Sequence, residues 1–337
     1  MATTERLQGA PILDVRALSV ALQTPRGAAD ALRDVAFTLE PGQTLGVIGE
    51  SGCGKSMLAL ALMGLLPEGA RARGSIRLAQ QELVGAGEPA LCRLRGNRMA
   101  MVFQEPMTAL NPLHRVVDQV AEPLRRHQGL TRSAAHAQAA RLLQRVRLSD
   151  AARCAQSYPH QLSGGQRQRV TIAMALACGP DVLIADEPTT ALDVTTQREI
   201  LDLMRELVAD TGMALLMISH DLDAMARIAA RIMVMYAGSV VESGRFEDVM
   251  ATRAHPYTRG LFAARPRWGA AGELAHQHRL QTIPGRVPDL ADRPVGCAFS
   301  NRCAWAQTPC QSPPALQALT GSHEVRCVRA AEPGFVR

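Results

Sequence analysis

The chain is poor in lysine, in aromatic residues and in long apolar runs. Aromatic residues make up 3% of its 337 residues, and Lys55 is the single lysine among 37 basic residues. The longest apolar stretch, 57–66, is interrupted by Gly64 and stopped by Pro67, far short of the roughly 20 residues that cross a bilayer. The first residues include an acid and no apolar core, which argues against a secretory signal. We therefore expect a soluble protein of the cytoplasm that could still dock on a membrane protein.

The charge is unevenly distributed. From Arg253 onward there are 11 arginines and 5 acidic residues, a difference equal to the whole formal net charge of +6. This basic tail lacks runs of Lys or Arg with interleaved aromatic residues, so we expect no nucleic-acid partner. Hydrophobic residues make up 47% of the chain, which with its length predicts a folded protein of about two domains.

The eight cysteines fall into two groups. Cys53, Cys92, Cys154 and Cys178 are scattered, whereas the other four lie close together near the end of the chain: Cys297, Cys303, Cys310 and Cys327. In a cytosolic protein, clustered cysteines suggest a metal site before they suggest disulfides.

The pattern of apolar residues predicts an α/β fold. We expect strands at 12–22, 35–39, 44–48, 74–79, 99–103, 182–185 and 214–218, and a β-hairpin over 233–244. The runs at 182–185 and 214–218 are short and wholly apolar, which is typical of buried parallel strands, and the helical stretch between them predicts a βαβ crossover. A helical subdomain is expected over about 107–177. A boundary near 250 divides the chain into domains at 1–250 and 251–337.

A glycine-rich phosphate loop follows the strand at 44–48. It matches G-x-x-x-x-G-K-[ST] and comprises Gly49, Glu50, Ser51, Gly52, Cys53, Gly54, Lys55 and Ser56. Its backbone N–H groups and the following helix N-terminus favour phosphate, Lys55 reaches the β- and γ-phosphates, and Ser56 helps to hold Mg²⁺. The only lysine of the chain therefore lies where a compact ammonium is needed and the forked guanidinium of arginine does not fit.

Two acidic residues, Asp186 and Glu187, end the buried strand at 182–185. Asp186 is placed to hold Mg²⁺ through water, and Glu187 to polarise an attacking water as a general base. Together with the phosphate loop, these residues still leave kinases, GTPases and motor ATPases open.

The sequence LSGGQ narrows that choice. It comprises Leu162, Ser163, Gly164, Gly165 and Gln166, opens a predicted helix, and resembles the signature of ATP-binding cassette (ABC) proteins. The resemblance covers about 12–250 and implies a P-loop core with an antiparallel β portion and a helical subdomain. It also implies that this signature meets the γ-phosphate held by an opposite protomer.

Other positions match the same family. Gln104 resembles the Q-loop residue that senses Mg²⁺ and the attacking water, so the implied Mg²⁺ ligands are Ser56, Gln104 and Asp186. Asp193 resembles the D-loop residue, and His220 the switch histidine at the γ-phosphate. One position departs from the pattern: Leu22 stands where the family usually has an aromatic residue that stacks on adenine.

Several longer segments resemble the ATPase subunits of dipeptide, oligopeptide and nickel importers, closest to the D-type subunit of dipeptide importers. They are MVFQEPMTALNPLHRV, LIADEPTTALDVTTQ, MYAGSVVESG, HPYTRGLFAARP and the cysteine-containing ending. Residue chemistry alone leaves iron–sulfur, zinc and reduced thiols open for Cys297, Cys303, Cys310 and Cys327, because neither zinc nor ferredoxin spacing is present. The resemblance favours a [4Fe–4S] cluster, with zinc as the alternative, in a small cysteine-rich C-terminal domain.

We therefore predict the ATP-hydrolysing subunit of a peptide importer, peripheral on the cytoplasmic face of the inner membrane. ATP binding would close an ATPase dimer and drive the permeases, and hydrolysis would reset it. The implied partners are a second, different ATPase, two permeases and an extracytoplasmic binding protein. Nickel or another peptide-like solute is the alternative cargo. A soluble ABC ATPase without a transporter is the rival class, and a regulatory cassette is disfavoured because Glu187 and His220 are both present.

Overall fold

The computed structural model describes residues 10–190, 192–264, 282–332 and 334–335. Its strands are β1 (Leu13–Thr24), β2 (Gly27–Leu39), β3 (Thr44–Ile48), β4 (Arg71–Leu78), β5 (Gln81–Glu82), β6 (Met99–Val102), β7 (Val182–Asp186), β8 (Ala214–Ile218), β9 (Arg231–Tyr236), β10 (Ser239–Arg245), β11 (Gln317–Thr320) and β12 (His323–Val325). Its α-helices are α1 (Lys55–Met63), α2 (Glu88–Leu94), α3 (Pro106–Ala109), α4 (Val116–Gln128), α5 (Arg132–Arg145), α6 (Ala151–Gln156), α7 (Gly164–Ala175), α8 (Val194–Thr211), α9 (Leu222–Ile228), α10 (Phe246–Thr252) and α11 (Pro256–Ala263).

The central sheet has the strand order β11-β12-β10-β9-β3-β8-β7-β6. The five strands from β9 to β6 are parallel. Every residue of β3, β7 and β8 is buried, since helices or the second sheet cover both faces. Such strands read as unbroken apolar runs, which is why they could be located in the sequence.

A second, antiparallel sheet has the order β2-β1-β4-β5 and packs with α1 against one face of the central sheet. Its strands β1 and β2 alternate between buried and exposed positions less regularly than an ideal strand, because the β1 pairing shifts register near Ala17. Ala17 lies at φ +47, and a Cβ at Gly74 of β4 would meet the Ala17 oxygen at 2.4 Å. The bulge therefore needs a glycine opposite it.

Helices α3 to α7 occupy the stretch in which a helical subdomain was predicted. Helix α4 presents Val116, Val120 and Leu124 to α5 and α7, and these apolar residues belong to the core on the other face of the central sheet. None of the described helices combines the length and apolar character that crossing a membrane requires.

The described C-terminal residues pack on the central sheet and on its apolar core. Strand β12 pairs with β10, with Val325 opposite Glu242, so this region extends the central sheet. Phe299 belongs to the main apolar core. The Nε2 atom of His323 lies 2.8 Å from a carboxylate oxygen of Glu242, and both side chains are fully buried. A Pro- and Cys-rich segment with little core of its own is thus stabilised by packing on the larger unit. The division of the chain at about 250 stays a prediction.

Candidate active site: a phosphate loop beside a carboxylate cluster

The phosphate loop connects β3 to α1, as predicted. Gly49 has φ +155, and a Cβ there would meet the Met235 oxygen at 2.3 Å, so only glycine fits. Gly54 caps α1 at φ +106, again outside the range of ordinary side chains. The Lys55 Nζ is buried within the loop and donates to the Gly49 oxygen (2.7 Å) and the Glu50 oxygen (3.1 Å). The loop therefore presents one buried ammonium at a helix N-terminus, which suits a phosphate.

A buried carboxylate lies beside this loop. Asp186, the last residue of β7, is 5% exposed, and its Oδ1 has no hydrogen-bond partner among the described residues. Burial raises its pKa, and a hydrogen bond from Ser56 and the charge of Lys55 act in the opposite direction. An unpaired carboxylate oxygen next to a serine hydroxyl is a hard-oxygen donor set that fits Mg²⁺.

Glu187 joins the other predicted residues. The Gln104 Nε2 donates to its Oε2 at 3.2 Å, and the Thr190 hydroxyl donates to the same oxygen at 3.0 Å. The His220 Nδ1 lies 3.3 Å from Oε1. Glu187 itself has φ +48, an unusual backbone conformation for a non-glycine residue, of the kind that clusters at functional sites.

The topology explains this convergence. Gln104 follows β6, Glu187 follows β7 and His220 follows β8, and these three strands are parallel neighbours with β3 next in order. Their carboxyl ends meet at one edge of the sheet, which is where ligands bind in open α/β sheets.

The signature lies at a different, exposed position. Ser163 is the N-cap of α7, and its hydroxyl accepts from the Gln166 N–H, while Gln166 accepts from the Ser163 N–H in return. Asp193 caps α8 in the same way and accepts from the N–H groups of Thr195 and Thr196. The two caps adjoin, since a Cβ on Gly165 would meet Thr196 at 2.6 Å. The predicted signature and D-loop thus form one surface with exposed Ser163 and Asp193.

Sequence reasoning missed two side chains that reach the phosphate loop. The Glu50 N–H donates to the Tyr257 hydroxyl at 2.7 Å, and the Arg302 guanidinium donates to both Glu50 carboxylate oxygens at 2.6 and 3.0 Å. Tyr257 and Arg302 are 207 and 252 residues from Glu50. No periodicity or local spacing could have linked them.

The four clustered cysteines converge but do not form a metal site as the structure stands. The four cysteines and Phe299 line a cavity of about 10 Å³, roughly the space of one water. These cysteines are Cys297, Cys303, Cys310 and Cys327. Burial raises the pKa of the Cys297 thiol to about 11 and also raises those of Cys303 and Cys327. No group of three or more His, Cys, Asp or Glu within the described ranges is arranged for a metal ion. The expected cluster is thus not supported by this arrangement, because thiols around so small a cavity would have to move apart to admit it.

The position at which the family usually has an adenine-stacking aromatic residue lies on the antiparallel sheet. Leu22 lies on β1 opposite Ala29 and is half-buried against the core of the antiparallel sheet.

These features define a P-loop ATPase of the cassette type. The sequence matches the ABC transporter family over 32–190 and the C-terminal region of oligopeptide and dipeptide transporters over 241–310. A protein of Brucella melitensis named as a peptide import ATP-binding protein is 48% identical over 96% of this chain and 98% of its own length. One of Brucella abortus with the same description is 46% identical and covers 96% of each chain.

Solved structures agree with this class. A dimeric bacterial ABC transporter cassette is 26% identical, with a TM-score of 0.63 over 69% of this chain and 98% of that one. The same cassette in a dimeric post-hydrolysis state bound to ADP and phosphate gives equal values. The chain belongs to the ABC transporter ATPases, a family that binds ATP with Mg²⁺ and hydrolyses it.

Proposed function

We propose that this chain is the ATP-hydrolysing subunit of an importer for dipeptides or oligopeptides. The observation that carries the enzymatic part is the contact of Glu187 with both Gln104 and His220, beside the Lys55 loop. The peptide cargo is supported by the match over 241–310 and by the descriptions of the relatives. Nickel or another peptide-like solute is the alternative cargo.

The proposed roles of the site residues are supported by their positions. The loop from Gly49 to Ser56 binds the phosphates, with Lys55 at their β and γ oxygens. Ser56, Asp186 and Gln104 are the residues that would hold Mg²⁺, which when bound offsets charge on the phosphates. Glu187 accepts the proton of the attacking water, and its contacts with Gln104 and Thr190 orient the carboxylate. His220 is largely exposed, so its ring is free to contact a γ-phosphate.

A complete site needs two ATPase chains. The exposed Ser163 at the start of α7 offers backbone N–H groups and a hydroxyl, the chemistry that suits a phosphate on a partner. Asp193 adjoins it and would lie at the same interface. The dimeric form of the related cassette supports this arrangement. The partner is a second, different ATPase subunit.

A groove between the helical subdomain and the central sheet suits a permease segment. Its volume is about 720 Å³, and it is lined by apolar residues on both sides, including the exposed Phe103 and Leu65. Gln104 follows Phe103 directly and also lines the groove. A permease loop seated there would therefore move a residue that touches Glu187. We therefore propose that the protein acts on the cytoplasmic face of the inner membrane, where permeases would present such a segment.

Reconstitution tests the function. The chain would be co-purified with a partner ATPase and two permeases, and ATP hydrolysis measured in vesicles with a binding protein. We expect peptide-loaded binding protein to stimulate hydrolysis and drive uptake of labelled peptide. Stimulation by a nickel chelate but not by peptide would establish the alternative cargo. Full activity of the dilute chain alone would contradict the two-chain site.

For the cysteine cavity we propose a structural [4Fe–4S] cluster that forms when the four thiols move apart. The support is their convergence on one cavity, with the second metal candidate being zinc. Because the thiols must lose protons to bind metal, binding should release protons. Anaerobically purified protein should contain iron and sulfide, and Cys303→Ser should lose both, whereas the exposed Cys92→Ser should not. Zinc without iron would establish a zinc site instead. Absence of both metals from anaerobically purified protein would overturn the iron–sulfur and the zinc proposals.

A further inference from the structure

Glu50 is held from two sides by the C-terminal region. Its N–H donates to the Tyr257 hydroxyl, and its carboxylate receives two hydrogen bonds from Arg302. Its own carbonyl accepts from the Lys55 Nζ at 3.1 Å. One residue of the loop thus joins the C-terminal region to the ammonium that meets the phosphates.

Arg302 is itself fixed in place. Its side chain is 5% exposed, its Nε donates to the Pro284 oxygen at 2.7 Å, and its Nη1 donates to the Tyr236 hydroxyl at 3.3 Å. The guanidinium carbon lies 5.8 Å from the centre of the Phe299 ring. A planar, two-pronged pair of this kind sets both the distance and the angle of the carboxylate.

Tyr257 is equally constrained. It is fully buried, and its ring centre lies 4.7 Å from that of Tyr236 and 5.4 Å from that of Phe299. The hydroxyl therefore cannot follow the loop if the loop moves. Together, Tyr257 and Arg302 fix the backbone and the side chain of Glu50 independently.

Because Glu50 is negatively charged, its contacts with Tyr257 and Arg302 bear on phosphate binding. A carboxylate on a phosphate loop repels the polyanion that the loop must bind, and the repulsion is strong where water is scarce. The bidentate contact with Arg302 offsets that charge with an opposite one at hydrogen-bond distance.

We propose that Arg302 is a positioning residue for the phosphate loop, through which the C-terminal region sets the affinity for Mg·ATP. The proposal rests on ATP binding at Lys55. Arg302 precedes Cys303 of the cysteine cavity, so the segment that lines this cavity also holds the loop.

The test compares Mg·ATP affinity of the full-length chain by fluorescent-nucleotide titration, and KM and kcat of the assembled transporter. Arg302→Met should weaken binding about tenfold, the effect of losing hydrogen bonds to a charged group, and should raise KM with kcat nearly unchanged. Arg302→Lys, which keeps the charge without the fork, should be intermediate. Tyr257→Phe should weaken binding by removing only the hydroxyl.

The matched control is Arg329→Met. Arg329 also lies in the C-terminal region and pairs with Glu332, and its hydrogen bonds among the described residues do not reach the loop. It should leave Mg·ATP affinity unchanged even if the C-terminal region is loosened. An equal loss in Arg329→Met would show a general packing effect and overturn the proposal.

A double variant distinguishes a positioning role of Arg302 from a general disturbance of the fold. Because Arg302 contacts the loop through Glu50, Glu50→Gln combined with Arg302→Met should be no weaker than the worse single variant. Additive losses, or an unchanged affinity in Arg302→Met, would refute the role of Arg302. Failure of wild-type protein to bind ATP, or unimpaired binding by Lys55→Met, would instead refute the nucleotide site itself.

Discussion

Replacing Glu187 by glutamine tests the centre of the proposed site with little change in shape. Glutamine is nearly isosteric with glutamate, and its oxygen can still accept from Thr190, whose hydroxyl lies 3.0 Å from Oε2. What is lost is the negative charge beside His220 and the capacity to take a proton from water. The variant should therefore fold as the wild type does.

The expected decrease in the hydrolysis rate follows from the loss of the general base. A positioned general base contributes about 10²–10⁴-fold to a rate, so Glu187→Gln should slow hydrolysis by that factor. ATP binding should persist, because no hydrogen bond between Glu187 and the phosphate loop is among those described, and Lys55 remains in place. Binding without hydrolysis should cause the variant to accumulate as an ATP-bound dimer.

The assay is single-turnover hydrolysis by the assembled transporter, together with size-exclusion chromatography of the ATPase subunits in ATP. A matched control is Glu206→Gln, which changes an exposed glutamate paired with Arg147 on the surface of α8. It should leave both rate and oligomeric state unchanged. A rate for Glu187→Gln within about tenfold of wild type would exclude the general-base role, and loss of ATP binding would show that Glu187 supports the loop instead.

Three further expectations concern the loop, the buried acid and the dimer. Lys55→Arg, although it follows the arginine preference of this chain, should abolish productive ATP binding in nucleotide titrations, because a forked guanidinium does not fit the backbone cradle; unchanged affinity would refute this. Burial raises the pKa of Asp186 in the folded protein above its unfolded value near 3.8. The protonated carboxyl therefore stabilises the fold at pH values below that unfolded pKa, and this stabilisation is lost as pH rises through the folded pKa. Asp186→Asn should therefore melt higher at neutral pH, lose that advantage in acid, and no longer support Mg²⁺-dependent turnover; a lower melting temperature at neutral pH would contradict the burial argument. Ser163→Arg should leave ATP binding by this chain intact but abolish hydrolysis at the site held by its partner ATPase, and full turnover at that site would show that the signature serves no partner.

The residues predicted from the sequence and brought together by the fold share a physical basis. Lys55 and Ser56 belong to one continuous loop, whose geometry depends on nearby glycines. Gln104, Glu187 and His220 each follow an apolar parallel strand, so their meeting at one sheet edge depends only on strand order. The loop motif and the apolar strands are each present in short segments of sequence, whereas the strand order is a property of the fold.

The arrangement of the C-terminal region is harder to predict from the sequence, for an equally physical reason. Its pairing of β12 with β10 joins residues about eighty positions apart, as with His323 and Glu242. Its irregular segments lack the repeating apolar pattern that identifies a helix or a strand. The cysteine spacing shows that four thiols are close in sequence, but it does not determine the size of the cavity between them.

The contact of Arg302 with Glu50 joins a segment that can be predicted from the sequence to one that cannot. Glu50 lies in a segment that the sequence identifies, but the residue that neutralises it comes from a segment that the sequence does not position. A phosphate loop can bind its ligand only if its own charges are arranged to allow this, and here the carboxylate within the loop, that of Glu50, is paired from outside the loop. A motif that locates the phosphates therefore need not contain all the residues that determine how tightly they bind.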